Sequence, residues 1–198
     1  MDFKLMPLKH IAAAMMLGFV TISSWAAPVP AEKPSGLDRA EVLSVARKVA
    51  DWQVKEFPNN PYAVKEPKGW IAGALYLGMY DWAELSGEEG YFNWLKKVFN
   101  RQYWQVADRM YHADDVCVSQ TYIDMYNKYK EEKMLLPTLA RIDWVINNPS
   151  KGGLDIDYSK PLSYERWSWC DALFMAPGVY TRLYTLTGNK KYMIFSDA

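Results

Sequence analysis

The same helix-stop signature occurs twice in this chain, and the spacing of the copies limits the folds open to it. Leu85-Ser86-Gly87 followed by Tyr91 is echoed by Leu186-Thr187-Gly188 followed by Tyr192, an offset of 101 residues. Tyr129-Lys130-Glu131 holds a similar hairpin position between them. Hairpin periods of about fifty residues predict stacked helical pairs, as in a solenoid or a toroid. The intervening segments agree. Asp38 and Glu41 form a capping-box-like start, and Val42, Val45, Val49 and Trp52 recur at helical steps that predict the core face of a first helix. Pro58-Asn59-Asn60-Pro61 ends it. Further helices are predicted over residues 70–85, 88–107, 115–130, 134–147 and 170–186, with a seventh begun near the end. Gly73, Ala74 and Gly78 keep the second slim, and Phe92, Leu95, Phe99, Tyr103 and Val106 stay in step along the third. With no useful period-two pattern, the fold class is all-α.

Residues 1–26 are predicted to be a signal peptide. Lys4, Lys9 and His10 precede an apolar run from Ile11 to Ile22, and Ser24 and Ala26 flank Trp25 as small residues before a cleavage point. The run is too short to span a membrane, which takes ~20 apolar residues. No cysteine lies near it to carry a lipid anchor. The mature chain is expected to be periplasmic or secreted, with no membrane contact. Residues 27–37 are a Pro-rich lead-in, and residues 38–198 form one domain.

Lys plus Arg and Asp plus Glu balance at 23 each, so no charge footprint for nucleic acid exists. Cys117 and Cys170 are expected as buried free thiols rather than a disulfide. After the leader one histidine remains, His112, and there is no CxxC or HxxxH, so neither metal nor cofactor is expected. Aromatic residues make up 15% of the chain, which suits either a thick helical core or a groove that stacks on sugar rings.

If the helices alternate in direction, the starts of the second, fourth and sixth share one rim, and those starts carry Trp70, Asp115 and Asp171. Aspartate is also favoured at helix starts as a cap and dipole partner. Two segments stand out, residues 111–122 and 166–177. In the second, Asp171 is framed by Trp167 and Trp169 on one side and Leu173-Phe174-Met175 on the other. Apolar surroundings and a nearby carboxylate both raise a carboxyl pKa, while a helix dipole opposes them. In the first, either Asp114 caps the helix and Asp115 points inward, or the reverse. His112 could reach the rim or serve as a structural hydrogen-bonder.

The run Trp169-Cys170-Asp171-Ala172-Leu173-Phe174-Met175-Ala176-Pro177, with the segment around Asp115 and with Trp70-Ile71-Ala72-Gly73, resembles glycoside hydrolase family 105, the unsaturated rhamnogalacturonyl hydrolases. The unsaturated glucuronyl hydrolases of family 88 are similar but match less well. The resemblance spans nearly all of residues 38–198. It implies an (α/α)6 barrel with the site at its open end and an unsaturated uronic-acid oligosaccharide as partner, such as lyase-cut pectin bearing unsaturated galacturonate. It implies Asp171 as general acid/base and Asp115 as the second carboxylate. Trp70, Trp167 and Trp169 would wall the pocket, and Arg166 could pair with the substrate's carboxylate. The family's Ala-Pro-Pro reads Ala176-Pro177-Gly178 here. The helices fill about half of a twelve-helix barrel, so truncation or ring closure by self-association through an exposed flank is expected. A non-catalytic helical-repeat module that binds sugar or protein, and an (α/α)-barrel unsaturated glucuronyl hydrolase, are the alternative readings.

Overall fold

The computed structural model describes Gly36 and residues 38–198. The predicted signal peptide, and the lead-in apart from Gly36, lie outside the described residues. The chain divides into two units, Met1–Glu41, of which Gly36 and residues 38–41 are described, and Val42–Ala198. In the first, the Ala40 N–H donates to Asp38 Oδ1 at 3.1 Å, the side-chain cap expected of that aspartate. The second holds the rest of the described fold.

Among the described residues the regular elements are all helical. They run α1 (Arg39–Glu56), α2 (Pro61–Lys65), α3 (Trp70–Ser86), α4 (Glu89–Arg101), α5 (Ser119–Tyr129), α6 (Leu136–Asn147), α7 (Ala172–Met175), α8 (Pro177–Thr187) and α9 (Lys191–Ser196). The repeated stop signature has a common geometry. Gly87 and Gly188 both take φ 69°, and Lys130 takes φ 58° at the equivalent end of α5. Each returns its N–H to a carbonyl four residues back, closing the helix with a left-handed residue.

The interior explains much of the aromatic content. Tyr76, Phe99, Trp104 and Tyr122 are fully buried. Their rings meet edge to face, Tyr76 on Phe99 at 4.9 Å and Phe99 on Tyr122 at 4.8 Å between centroids. Each such burial is worth roughly 1.5–3 kcal/mol, so this cluster fixes α3, α4 and α5 relative to one another. A second cluster, including Ile123, Ile142, Val179 and Leu183, joins α5, α6 and α8.

Three sequence expectations fail here, each for a local reason. Val42, Val45, Val49 and Trp52 are exposed, not core. The inward stripe of α1 is Leu43, Ala46, Ala50 and Val54, also at helical spacing, and these four join the first core cluster. Tyr103 is exposed because α4 ends at Arg101, and the chain then turns through left-handed Tyr103 and Trp104. The helix predicted over 170–186 is broken into α7 and α8. Pro177 has no N–H to donate, and its ring crowds the carbonyl four residues back.

Candidate active site

Trp70, which begins α3, meets His112 and Asp114 from the turn ahead of α5 and Asp171, just ahead of α7, around a cavity of about 410 Å³. Arg109, Tyr158, Tyr164 and Trp169 complete the lining. The expected convergence of three separated helix starts on one rim is therefore present. The carboxylate contributed by the middle start is Asp114.

The turn from 104 to 116 decides this. Asp115 is buried, and its carboxylate accepts from the Arg109 backbone N–H at 2.6 Å, from Nε at 2.9 Å and from Nη2 at 2.6 Å. The Ala107 N–H donates to the Asp115 carbonyl at 3.0 Å. Behind it, Arg141 of α6 donates to the carbonyls of Ala107 and Arg109 at 2.7 and 3.2 Å. Asp115 is thus the anchor of the turn, its Oδ1 taken by two guanidinium N–H groups and its Oδ2 by the Arg109 backbone, and does not line the cavity. A tight 3-10 turn over Ala113–Val116 puts the neighbouring Asp114 side chain on the cavity side. The cap of that turn is His112, whose Nδ1 accepts the Asp114 N–H at 3.4 Å. So of the two readings of the aspartate pair, the geometry matches the one with Asp114 inward.

The electrostatics follow from this packing. Burial pushes the Asp114 carboxyl above its usual range; His112 and Arg109 pull it back, and the nearby Asp171 charge adds to the rise. Burial and the Arg109 charge hold His112 below its usual value, while the carboxylates around it oppose.

Asp171 is exposed at the cavity mouth rather than half-desolvated. Its carbonyl accepts the N–H groups of Phe174 and Met175 at 2.9 and 3.2 Å, which starts the single turn of α7. Trp169 is 40% exposed, lies near-parallel to Tyr164 at 6.3 Å and meets Tyr158 edge to face. Trp70 is 44% exposed on the same cavity.

Two expected residues lie elsewhere. Trp167 adopts φ 56° and turns into the core, where its ring meets Tyr180 at 5.4 Å and Phe195 at 6.1 Å. Arg166 is exposed and does not line the cavity. Cys117 is a buried free thiol as expected, but the free Cys170 is exposed. Arg109, Tyr158 and Tyr164 were not legible: they sit in turns, where no periodicity marks direction. Among the described residues no three His, Cys, Asp or Glu side chains are grouped to hold a metal ion. None of the described helices is long and apolar enough to cross a membrane.

The sequence profile of Glycosyl Hydrolase Family 88 matches residues 45–197. A curated relative from Alteromonas sp. (strain LOR), named unsaturated 3S-rhamnoglycuronyl hydrolase, is 26% identical over 170 residues, which cover 77% of this chain and 41% of the relative. A protein of the same name from Formosa agariphila is 31% identical over 159 residues, covering 79% of this chain and 41% of its own length. The chain therefore spans less than half the length of these relatives. The solved structure of a glycosyl hydrolase family 88 protein from Bacteroides vulgatus aligns with TM-score 0.64 at 18% identity, over 80% of this chain and 45% of that one. A polysaccharide lyase structure aligns with TM-score 0.54 at 20% identity, over 77% and 45%. These likenesses show the fold, that of the (α/α)6 helical toroids.

Proposed function

The chain belongs to glycosyl hydrolase family 88, and from that premise we propose that it supplies the acid/base side of a site hydrating 4,5-unsaturated uronic acids joined to rhamnose. The observation that carries this reading is the meeting of Asp114 and Asp171 in one aromatic-walled cavity. Asp171, as general acid, gives a proton to C4 of the double bond. A water then adds its oxygen at C5 and loses a proton to the Asp171 carboxylate, which restores the acid. The resulting hemiketal opens to a ketone at C5, leaving a hemiacetal at C1 that collapses and releases the neighbouring sugar. The net change is addition of one water. No glycosyl-enzyme bond forms, so the carboxylate separations of ordinary glycosidases do not govern the outcome. Asp114 takes the role expected of Asp115, holding sugar hydroxyls opposite the acid. Trp70, Trp169 and Tyr164 wall the ring and keep bulk water off it.

Elementary chemistry narrows where specificity lies. Glucuronate and galacturonate differ only at C4, and elimination makes C4 trigonal, so both give the same unsaturated residue. The distinction between a pectin-derived and another substrate therefore rests on the sugar beyond C1. Rhamnose is favoured because both curated relatives carry it in their names.

The test follows the ultraviolet band of the conjugated uronide with the full protein on lyase-generated oligosaccharides. The native protein is expected to bleach the band. Asp171→Asn should be slower by about 10²–10⁴-fold, the usual weight of a general acid, while melting as the native protein does. Bleaching by the variant at the native rate would refute the assignment. Binding of the oligosaccharide without bleaching by the native protein would instead identify a sugar-binding module.

A further inference from the structure

We propose that Gln120 is a positioning residue of this site: its side-chain amide closes the broken end of α7 and thereby fixes the rim from which Asp171 projects. The inference rests on the reading of Asp171 as the acid, but its physical basis is separate.

The break at Pro177 sets the problem. A continuing helix would have satisfied the carbonyls of Leu173, Phe174 and Met175 with N–H groups four residues on. Pro177 has none to give, and the Val179 N–H goes to Ala176 O at 2.9 Å instead. The gap is filled from α5. Gln120 Nε2 donates to the Phe174 and Met175 carbonyls at 2.9 and 3.3 Å, across more than fifty residues of sequence. Phe174 and Met175 are the residues whose N–H groups bind the Asp171 carbonyl. One side of the turn thus grips the acid's backbone, and the other grips the amide.

The amide is itself held in one orientation. Gln120 is 3% exposed, and its Oε1 accepts from Arg182 Nη1 at 2.9 Å. Arg182 is fixed in turn by Asp124, with Nε at 3.0 Å from both carboxylate oxygens, and by a bond from Nη1 to the Gly178 carbonyl at 3.2 Å. This accounts for the glycine that interrupts the Ala-Pro-Pro pattern. A Cβ at 178 would lie 2.3 Å from Gln120 Oε1 and 2.8 Å from its Cδ. A side chain at 178 would push the amide from this position, so Gly178 and Gln120 form one device. The relay runs from Asp124 through Arg182 and Gln120 to α7, and neither these three residues nor Gly178 lines the cavity.

The test uses two variants that disable the device from opposite sides. Gln120→Met keeps the length and bulk of the side chain without its donors, and Gly178→Ala crowds the amide. On lyase-generated uronyl–rhamnose oligosaccharides, each is expected to lower kcat by about 10–100-fold, as a misplacement near 1 Å can, with KM within about threefold. The double variant should lose no more than the more damaging single, since both act on one contact. Hydrogen exchange should quicken across residues 171–176 and stay unchanged in α3 and α4. A native kcat for Gln120→Met would overturn the proposal, as would additive losses in the double variant or faster exchange throughout the chain. Asp171→Asn run alongside keeps the two readings apart: full activity there removes the acid assignment, while exchange confined to 171–176 still reports the clamp.

Discussion

The wall formed by residues 104–116 and the wall formed by residues 149–171 face the same cavity, yet the first is held by buried charge and the second by hydroxyls and short turns. In the first, Asp115 is closed into three bonds with Arg109, and Arg141 braces the loop from behind. In the second, Ser163 exchanges bonds with the Asp157 backbone, and Ser150 donates to Glu165 at 2.6 Å. Its aromatic faces stand in solvent, Tyr158 at 77% exposure. Charge-assisted bonds to a buried carboxylate define one geometry; serine links near the surface constrain the backbone but leave the rings room to adjust. The comparison separates a wall that sets where the carboxylates stand from a wall that adapts to the sugar.

The largest expected effect tests the rigid wall. Asp115→Asn keeps the shape but removes the charge that binds Arg109, and hydrogen bonds to charged groups are the strong ones. A loss of about 2 kcal/mol in unfolding free energy is expected from urea midpoints at constant slope. Activity should fall as well, since Arg109 and Asp114 lose their register. A variant as stable as the native chain would show that the ion pair does not hold the turn.

The adaptable wall should respond differently. Trp169→Ala removes a surface ring that packs on Tyr158 and Tyr164 among the described aromatics. Stability should stay within about 0.5 kcal/mol. KM for the unsaturated oligosaccharide should rise about tenfold, equivalent to ~1.4 kcal/mol of binding, with kcat nearly unchanged. A melting temperature lowered as far as that of Asp115→Asn would erase the distinction between the walls.

The same contrast explains what the sequence discloses. Trp70 and Asp171 are legible because helix starts in a hairpin repeat return to one rim whatever the side chains. Helix ends at Gly87 and Gly188 are legible because only a left-handed residue closes them cheaply. The choice between Asp114 and Asp115 is not, because a 3-10 turn rotates neighbours apart and the partner that claims one of them, Arg109, lies in an irregular loop. Trp167 and Trp169 are two residues apart and identical in kind; a left-handed backbone at 167 sends one to the core. On α1 two apolar stripes compete, and only tertiary packing on the first core cluster selects the one with Ala46 and Ala50. Tyr158 and Tyr164 sit in a turn-rich stretch whose direction no pattern records.

The smallest expected effect lies at His112, which belongs to the rigid wall but titrates. Its pKa in the folded chain is held below 6.5 by burial and by Arg109. Between that lowered value and 6.5 the unfolded chain binds the proton and the folded chain does not, so stability rises with pH through this window and levels above 6.5. Asp114 has the opposite sign: raised above 3.8 in the fold, it makes stability fall as pH climbs from 3.8 toward its raised value. The difference between native protein and His112→Gln isolates the first effect. The variant should lose less stability than the native chain as pH drops below 6.5, by a fraction of the Asp115 effect. Urea midpoints taken between pH 7 and pH 5 check this, and native and variant curves that stay parallel throughout would show that His112 does not titrate differently in the fold.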